Sequence, residues 1–305
     1  MSRILAIVGP TGVGKSALAL AVAERAGAEI VNADAPQVYR GIDIGTAKPS
    51  RAERARVPHH LIDCLDPGER YSAGRFAEMA RGVLDDITAR GRPALVVGGS
   101  GLYLRALLAG LAPLPAVPAA VRAELSARLA REGLAALRLE LERLDPPTAA
   151  RLAPGDTQRT LRALEVARAS GRPLSEWLAR GPAAATALSG VQRVGLTLPR
   201  ALLYDRIGSR VRQMVARGWL DEIRGLLASG VEPDAPAFRA IGYAQWLGHL
   251  AGDYDCEETT RRIVVATRRY AKRQETWFRR EPGIEWHDAR DAGPLAERLA
   301  RRVEG

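Results

Sequence analysis

The sequence predicts an α/β fold, a parallel sheet covered by helices and interrupted by an all-helical insertion, and three observations carry that prediction. Residues 1–112 alternate short apolar runs with helical patterns. Residues 113–190 carry leucine, alanine and arginine at helical spacing and nothing that alternates like a strand. From residue 191 to 305 the mixed rhythm returns, so the chain re-enters the first domain after the insertion.

Ile4 to Val8 reads as a buried strand, Lys15 to Ala26 as a helix stopped by Gly27, and Glu29 to Val31 as a second strand. A loop spans residues 35 to 58. Leu61 and Ile62 suggest a short strand, Ser72 caps a helix running to Ala89, and Ala94 to Val97 is a continuous apolar strand ending in Gly98 and Gly99. Pro113, Pro115 and Pro118 open the insertion, and the small-residue stretch Gly181 to Gly190 closes it. Val191 to Leu198 then reads as another sheet strand. Helices follow over residues 201–217, 220–228, 240–250 and 257–280, with a last strand near Ile284 to His287.

The 305 residues include 45 Lys plus Arg against 35 Asp plus Glu, a net charge of +10, and only three of the cations are lysines: Lys15, Lys48 and Lys272. At 47% hydrophobic and 26% charged, the composition is that of a folded globular chain and excludes a disordered tail. No apolar run approaches the roughly 18 residues of a membrane span, so the expected location is the cytoplasm, with no membrane partner and a monomeric state. Cys64 and Cys256 stand at neither metal nor redox spacing. Half of the excess positive charge falls in residues 257–280, where eight cations meet three anions. At 100° per residue, Arg261, Arg268, Lys272 and Arg279 share one stripe beside Arg262, Arg269, Arg273 and Arg280, the pattern of a row of nucleic-acid phosphate contacts. Ile263, Val264, Tyr270, Ala271, Trp277 and Phe278 supply the apolar side. Trp219, Trp246 and Trp286 read as residues of cores or helix contacts, and the adjacent His59 and His60 do not share a metal.

Residues 9–16, Gly9, Pro10, Thr11, Gly12, Val13, Gly14, Lys15 and Ser16, satisfy the phosphate-loop pattern G-x-x-x-x-G-K-[ST] between a strand and a helix. Glycine-permitted turns aim backbone N–H groups into one concavity, the helix start adds positive dipole, Lys15 adds charge and the Ser16 hydroxyl is a Mg²⁺ ligand. The fold class is therefore P-loop NTPase-like, and the ligand is phosphorylated. A small-molecule or nucleotide kinase is the competing reading, but such chains commonly place a metal-binding Asp after an apolar strand, and here the strand ends in Gly98-Gly99-Ser100-Gly101. Asp34 stands after the second strand, at the carboxyl edge where parallel sheets bind ligands; it serves as a proton acceptor or as a turn cap.

The run from Asn32 to Pro49 through Asp34, Ala35, Pro36 and Gln37, together with the phosphate loop, Pro58-His-His-Leu-Ile-Asp63, Gly98-Gly-Ser-Gly-Leu-Tyr103, Arg159-x-x-Arg162, Ile241-Gly-Tyr243 and Thr267 to Arg279, resembles the tRNA dimethylallyltransferases. The matches span nearly the whole chain in family order, and that family has a P-loop core with an inserted helical domain. Three positions depart: Ala35 stands where the family usually has Ser, Ser100 where it has Thr, and Thr157 where Pro is common.

The resemblance implies transfer of a dimethylallyl group from dimethylallyl diphosphate to N6 of the adenosine immediately 3′ of a tRNA anticodon, with release of diphosphate and with Mg²⁺ as cofactor. It implies Asp34 as the group that takes the N6 proton, Thr11 near the leaving oxygen, Lys15 and the phosphate-loop amides on the diphosphate, and Arg210, ahead of Arg206, as the diphosphate arginine. It implies an extruded base in a channel lined by Asp34 to Gln37. Contacts to the anticodon stem-loop are expected from Asp34, Ala35, Pro36, Gln37, Ser100, Arg122, Gln158, Arg159, Thr160, Leu161, Arg162, Arg239, Gly242, Tyr243, Arg268 and Lys272.

Overall fold

The computed structural model describes residues 3–181, 188 and 190–304. These fall into two compact units, one built from Met1–Leu108 with Leu188–Gly305 and the other from Ala109–Ala187. Most of the Gly181 to Gly190 stretch lies outside the described residues.

The first unit is organised by six parallel strands among the described residues: β1 (Ile4–Val8), β2 (Glu29–Asn32), β3 (His59–His60), β4 (Ala94–Gly98), β5 (Gln192–Thr197) and β6 (Ile284–Asp288), in the sheet order β3-β2-β4-β1-β5-β6. The central strands are apolar because both faces are covered; every residue of β4 is buried, and each buried Leu or Ile contributes about 1.5–3 kcal/mol. Helix α1 (Lys15–Ala26) ends at Gly27 in the left-handed conformation, with its N–H on Ala23 O. Next come α2 (Arg51–Arg56), α3 (Ala73–Ala89), which Ser72 caps by accepting from Arg75 N, and α4 (Gly101–Leu108).

The second unit is all-helical among its described residues: α5 (Ala119–Leu144), α6 (Pro146–Arg151), α7 (Thr157–Ser170) and α8 (Leu174–Ala179). Helix α5 is broken at Gly133, whose φ of 76° no helix accommodates. Leu125, Leu137, Leu141, Ala149, Ala163 and Leu164 form its core. Buried Asp145 ties two helix starts together, accepting from Thr148 N at 3.1 Å and Ser175 N at 2.9 Å.

Back in the first unit, α9 (Arg200–Ala216), α10 (Trp219–Ala228), α11 (Tyr243–Leu250), α12 (Cys256–Phe278) and α13 (Ala292–Glu304) complete the chain. One core packs α1, α9 and α13 on the sheet. A second gathers Trp219, Phe238, Tyr243 and Trp246 with Ile42 and Ile263.

Several elements differ from the sequence reading. The short strand is His59–His60, paired with Ile30 and Val31; Leu61 turns left-handed at φ 59°, and Asn32 Nδ2 donates to its carbonyl at 3.0 Å, which takes the chain off the sheet. Helix α11 starts at Tyr243 rather than residue 240, because Gly242 has φ 97° and a Cβ there would sit 1.9 Å from the Trp219 ring. Trp219 and Trp246 are core residues, whereas Trp286 is 36% exposed on the edge strand, lying over Gly195. Helix α13 lies beyond the last element of the sequence reading, although Leu295, Leu299 and Val303 recur at helical spacing and bury against the core around α1.

Lys48 explains one of the three lysines. Its side chain is 1% exposed, and Nζ donates to Tyr39 O at 2.8 Å and to the Asp43 and Asp63 carboxylates, closing the 39–48 loop onto the turn after β3. Lys48→Met strips Tyr39 O and Asp43 of this partner and leaves Asp63 to Arg54 alone, and is expected to cost about 2–3 kcal/mol, read as a lowered urea midpoint. Lys48→Arg should lose most of the same energy, since a planar guanidinium cannot direct three N–H groups from one point. An unchanged midpoint for Lys48→Met would sink this assignment.

Candidate active site

The sheet order sets β4 between β2 and β1, so the three loops at their carboxyl ends converge: the phosphate loop after β1, Asp34 after β2 and the Gly98 turn after β4. There is little room between them. A Cβ on Gly98 would lie 2.2 Å from Ala33 O, one on Gly99 2.2 Å from Gln274 Nε2, and one on Gly101 2.3 Å from the Trp277 ring. The glycines of this turn are required by close approach of β2 and α12. Of the four residues of this turn, only position 100 has room for a side chain, and it is Ser100.

In the phosphate loop, Thr11, Gly12, Gly14, Lys15 and Ser16 line a cavity of about 380 Å³, whereas Val13 is packed in the core. Gly9 and Pro10 hold Lys15: its Nζ donates to both carbonyls at 2.9 Å. Burial lowers the Lys15 pKa to about 8, an effect that the facing Asp34 charge opposes and that Arg210 reinforces. From α9, Arg206 and Arg210 reach the same cavity. Arg210 Nη1 stands 3.5 Å from Thr11 Oγ1, and Arg206 Nη1 lies 3.5 Å from Val13 O.

Asp34 occupies the N-cap position of a 3₁₀ turn over Ala35–Val38 but makes no side-chain capping bond there, so the capping reading fails. Its backbone is fixed instead by Asn32, whose Oδ1 accepts from Asp34 N at 3.0 Å and whose Nδ2 donates to Asp34 O at 3.1 Å. Ser100 Oγ accepts from Ala35 N at 3.1 Å. The Asp34 carboxyl faces the cavity, and desolvation raises its pKa above the usual 3.8 although Lys15 and Arg210 pull it down.

A second cavity of about 340 Å³ shares Thr11, Asp34, Gln37 and Arg210 with the first. Ala35, Pro36, Gly45, Arg239, Tyr270 and Arg273 line it, and Ile207, Val211, Met214, Trp219 and Ile241 give it an apolar wall. Its loop is clamped: Glu222 accepts from Asp43 N at 2.9 Å, Ile44 N at 2.7 Å and Tyr243 Oη at 2.6 Å, while Gly45 N donates to Tyr243 Oη at 3.2 Å.

Of the residues expected to touch the acceptor, Ala35, Pro36, Gln37 and Arg239 line this cavity beside Asp34, and Lys272 lines a neighbouring hollow with Arg105, Arg273 and Arg280. Tyr243 does not reach the surface: it is fully buried, and its hydroxyl holds the loop clamp. Gly242 is a packing site beneath Trp219. In the helical unit Gln158 and Arg159 are exposed, Arg159 pairing with Asp156, while Arg162 and Arg122 both approach Glu165. Thr160 is fully buried and presents no side chain at the surface, whereas Leu161 packs partly buried against the helical core.

The basic face of α12 is narrower than its sequence suggests. Arg261 and Arg262 both pair with Glu258, and Arg279 pairs with Glu275. Arg268 turns inward over the Tyr204 ring and donates to Tyr204 O at 3.3 Å. Among the described residues no ion pair holds Arg269, Lys272, Arg273 or Arg280.

Sequence reasoning missed Gln274, which is 4% exposed and bridges two of the three convergent loops. Its Oε1 accepts from Thr11 N at 2.9 Å and its Nε2 donates to Gly99 O at 2.8 Å. The signal was present: residue 274 continues the buried stripe of Ile263, Ala271 and Phe278, and a polar side chain on such a stripe needs buried partners.

A phosphate loop facing a desolvated carboxylate across a bipartite cleft defines a P-loop protein fitted for group transfer from a phosphorylated donor. The chain belongs to the IPP transferase family, whose profile matches residues 37–281, with an isopentenyl transferase profile matching residues 2–62. A tRNA dimethylallyltransferase of Anaeromyxobacter sp. (strain Fw109-5) is 49% identical, covering 100% of this chain and 99% of the relative. One from Methylococcus capsulatus is 45% identical over 98% of this chain and 96% of its own length. Among solved structures, the tRNA isopentenylpyrophosphate transferase of Bacillus halodurans superposes with a TM-score of 0.71 at 36% identity, covering 100% of this chain and 97% of that one. A eukaryotic dimethylallyltransferase acting on tRNA gives 0.78 at 28% identity, covering 99% and 78%.

Proposed function

We propose that this protein transfers a dimethylallyl group from dimethylallyl diphosphate to the exocyclic amine of the adenosine 3′ of a tRNA anticodon. The observation that carries this reading is Asp34 at the junction of an anion cradle and a second, apolar-walled cavity. The diphosphate lies against the loop amides, Lys15 and Arg210, which stabilise negative charge as the allylic C–O bond breaks. Thr11 Oγ1, beside Arg210, faces the leaving oxygen. The adenine leaves its stack and enters the second cavity beside Ala35, Pro36 and Gln37, where Asp34 accepts the N6 proton as the C–N bond forms.

Among the described residues no group of three His, Cys, Asp or Glu side chains forms a metal cage. Mg²⁺, which keeps most of its shell as phosphate oxygens and water, would enter with the diphosphate. Ser16, exposed at the cradle, is the hydroxyl that would ligate it, and the ion would neutralise leaving-group charge.

Incubation with Mg²⁺, labelled dimethylallyl diphosphate and tRNA is expected to place label in the tRNA. ATP consumption without label transfer would replace this reading with a kinase. The unpaired cations of α12 give a second expectation. Lys272→Ala should weaken tRNA binding and reduce the slope of log affinity against log salt by about one, because one phosphate contact is lost. An unchanged slope would remove Lys272 from the RNA-binding surface. No described helix is long and apolar enough to cross a membrane.

A further inference from the structure

We infer that Gln274 is a positioning residue that decides which group of Thr11 faces the reacting oxygen. This rests on the transfer reaction proposed above.

In a phosphate loop the backbone N–H groups ordinarily point at the anion. Here the Thr11 N–H is withdrawn from the cradle, because Gln274 Oε1 accepts it at 2.9 Å. With the amide committed, the residue presents its hydroxyl to the cleft, where Arg210 Nη1 lies 3.5 Å away. A second bond holds Gln274 on that amide. Its Nε2 is bound to Gly99 O at 2.8 Å, and the absence of a Cβ at Gly99 is what admits the amide group. The same helix carries Tyr270 and Arg273 on the acceptor cavity and Lys272 on the adjoining hollow. One rigid element thus touches the acceptor side and sets the donor side. A buried glutamine on α12 is needed because only a side chain with both an acceptor and a donor satisfies an N–H and a C=O that face each other.

A side chain that only stabilises the fold would act independently of Thr11, whereas one acting through the Thr11 hydroxyl must not. The test is a double-mutant cycle of Gln274→Met and Thr11→Val, read in single-turnover prenyl transfer, alongside calorimetric binding of inorganic diphosphate. Gln274→Met is expected to lower the transfer rate about 10–100-fold with donor KM changed less than about threefold. The double variant should be no slower than the slower single variant. Diphosphate affinity should stay within about threefold of wild type, since the Thr11 amide is not part of the cradle. Multiplicative losses in the cycle, or a tenfold loss of diphosphate affinity, overturn the inference. If Gln274→Met fails to fold, Gln274→Ala, which admits a water to the Thr11 amide, enters the same cycle with the same expectation. Absence of transfer by the wild-type protein would instead refute the proposed function, while the diphosphate measurement still decides whether Gln274 merely holds the cradle.

Discussion

Asp34→Asn is expected to lower kcat by about two to four orders of magnitude while leaving tRNA binding intact, because it removes a general base and nothing that shapes the site. The backbone of residue 34 is held by Asn32 and that of residue 35 by Ser100, and neither bond involves the Asp34 side chain. The same change tests the energetics of the site. Burial raises the folded-state pKa of Asp34 above 3.8, so ionisation at neutral pH opposes folding. That contribution favours the folded state below the unfolded pKa and is lost as pH rises through the folded pKa. Asp34→Asn should therefore melt no lower than wild type at pH 7, and any advantage should vanish below about pH 3.8. Turnover close to wild type, measured with saturating donor and tRNA, would remove Asp34 from the mechanism.

Lys15→Met is expected to reduce kcat/KM for the donor about 10²–10³-fold, since a buried cation facing the diphosphate is lost. Its lowered pKa, about 8, adds a pH signature. The free enzyme loses the ammonium above that pH and loses the Asp34 carboxylate as pH falls through that group's raised pKa, so log kcat/KM should be bell-shaped. The alkaline limb should be missing in Lys15→Met. Lys15→Arg is expected to recover little, because Nζ sits 2.9 Å from both Gly9 O and Pro10 O, a geometry suited to one compact ammonium. Full activity of Lys15→Arg, or an alkaline limb that survives in Lys15→Met, would assign the diphosphate charge elsewhere.

Local chemistry made much of this protein legible from its sequence. Buried parallel strands are continuous apolar runs, helix ends carry Ser72 and Gly27, and a phosphate loop is one short stretch whose backbone does the binding, so all were readable residue by residue. Asp34 was placed at the right edge of the sheet, but its choice between capping a turn and facing a cleft depends on which bonds its neighbours supply. Contacts between distant segments were not legible. Glu222 holds a loop some 180 residues away, Gln274 pins a loop near the other end of the chain, and Arg268 abandons a basic stripe for Tyr204. A helical wheel gives the angle at which a side chain leaves its helix, and packing decides whether solvent, a carboxylate or another backbone meets it there. The motif reading places Thr160, Tyr243 and Arg268 on the RNA surface; Thr160 and Tyr243 are buried, and half-buried Arg268 is turned onto Tyr204. The sequence by itself determined the phosphate loop, the place of Asp34 at the sheet edge and the helices that frame them. Only the tertiary structure decided which polar groups remain free to act, because hydrogen bonds between segments far apart in the chain form only when the sheet order brings those segments together.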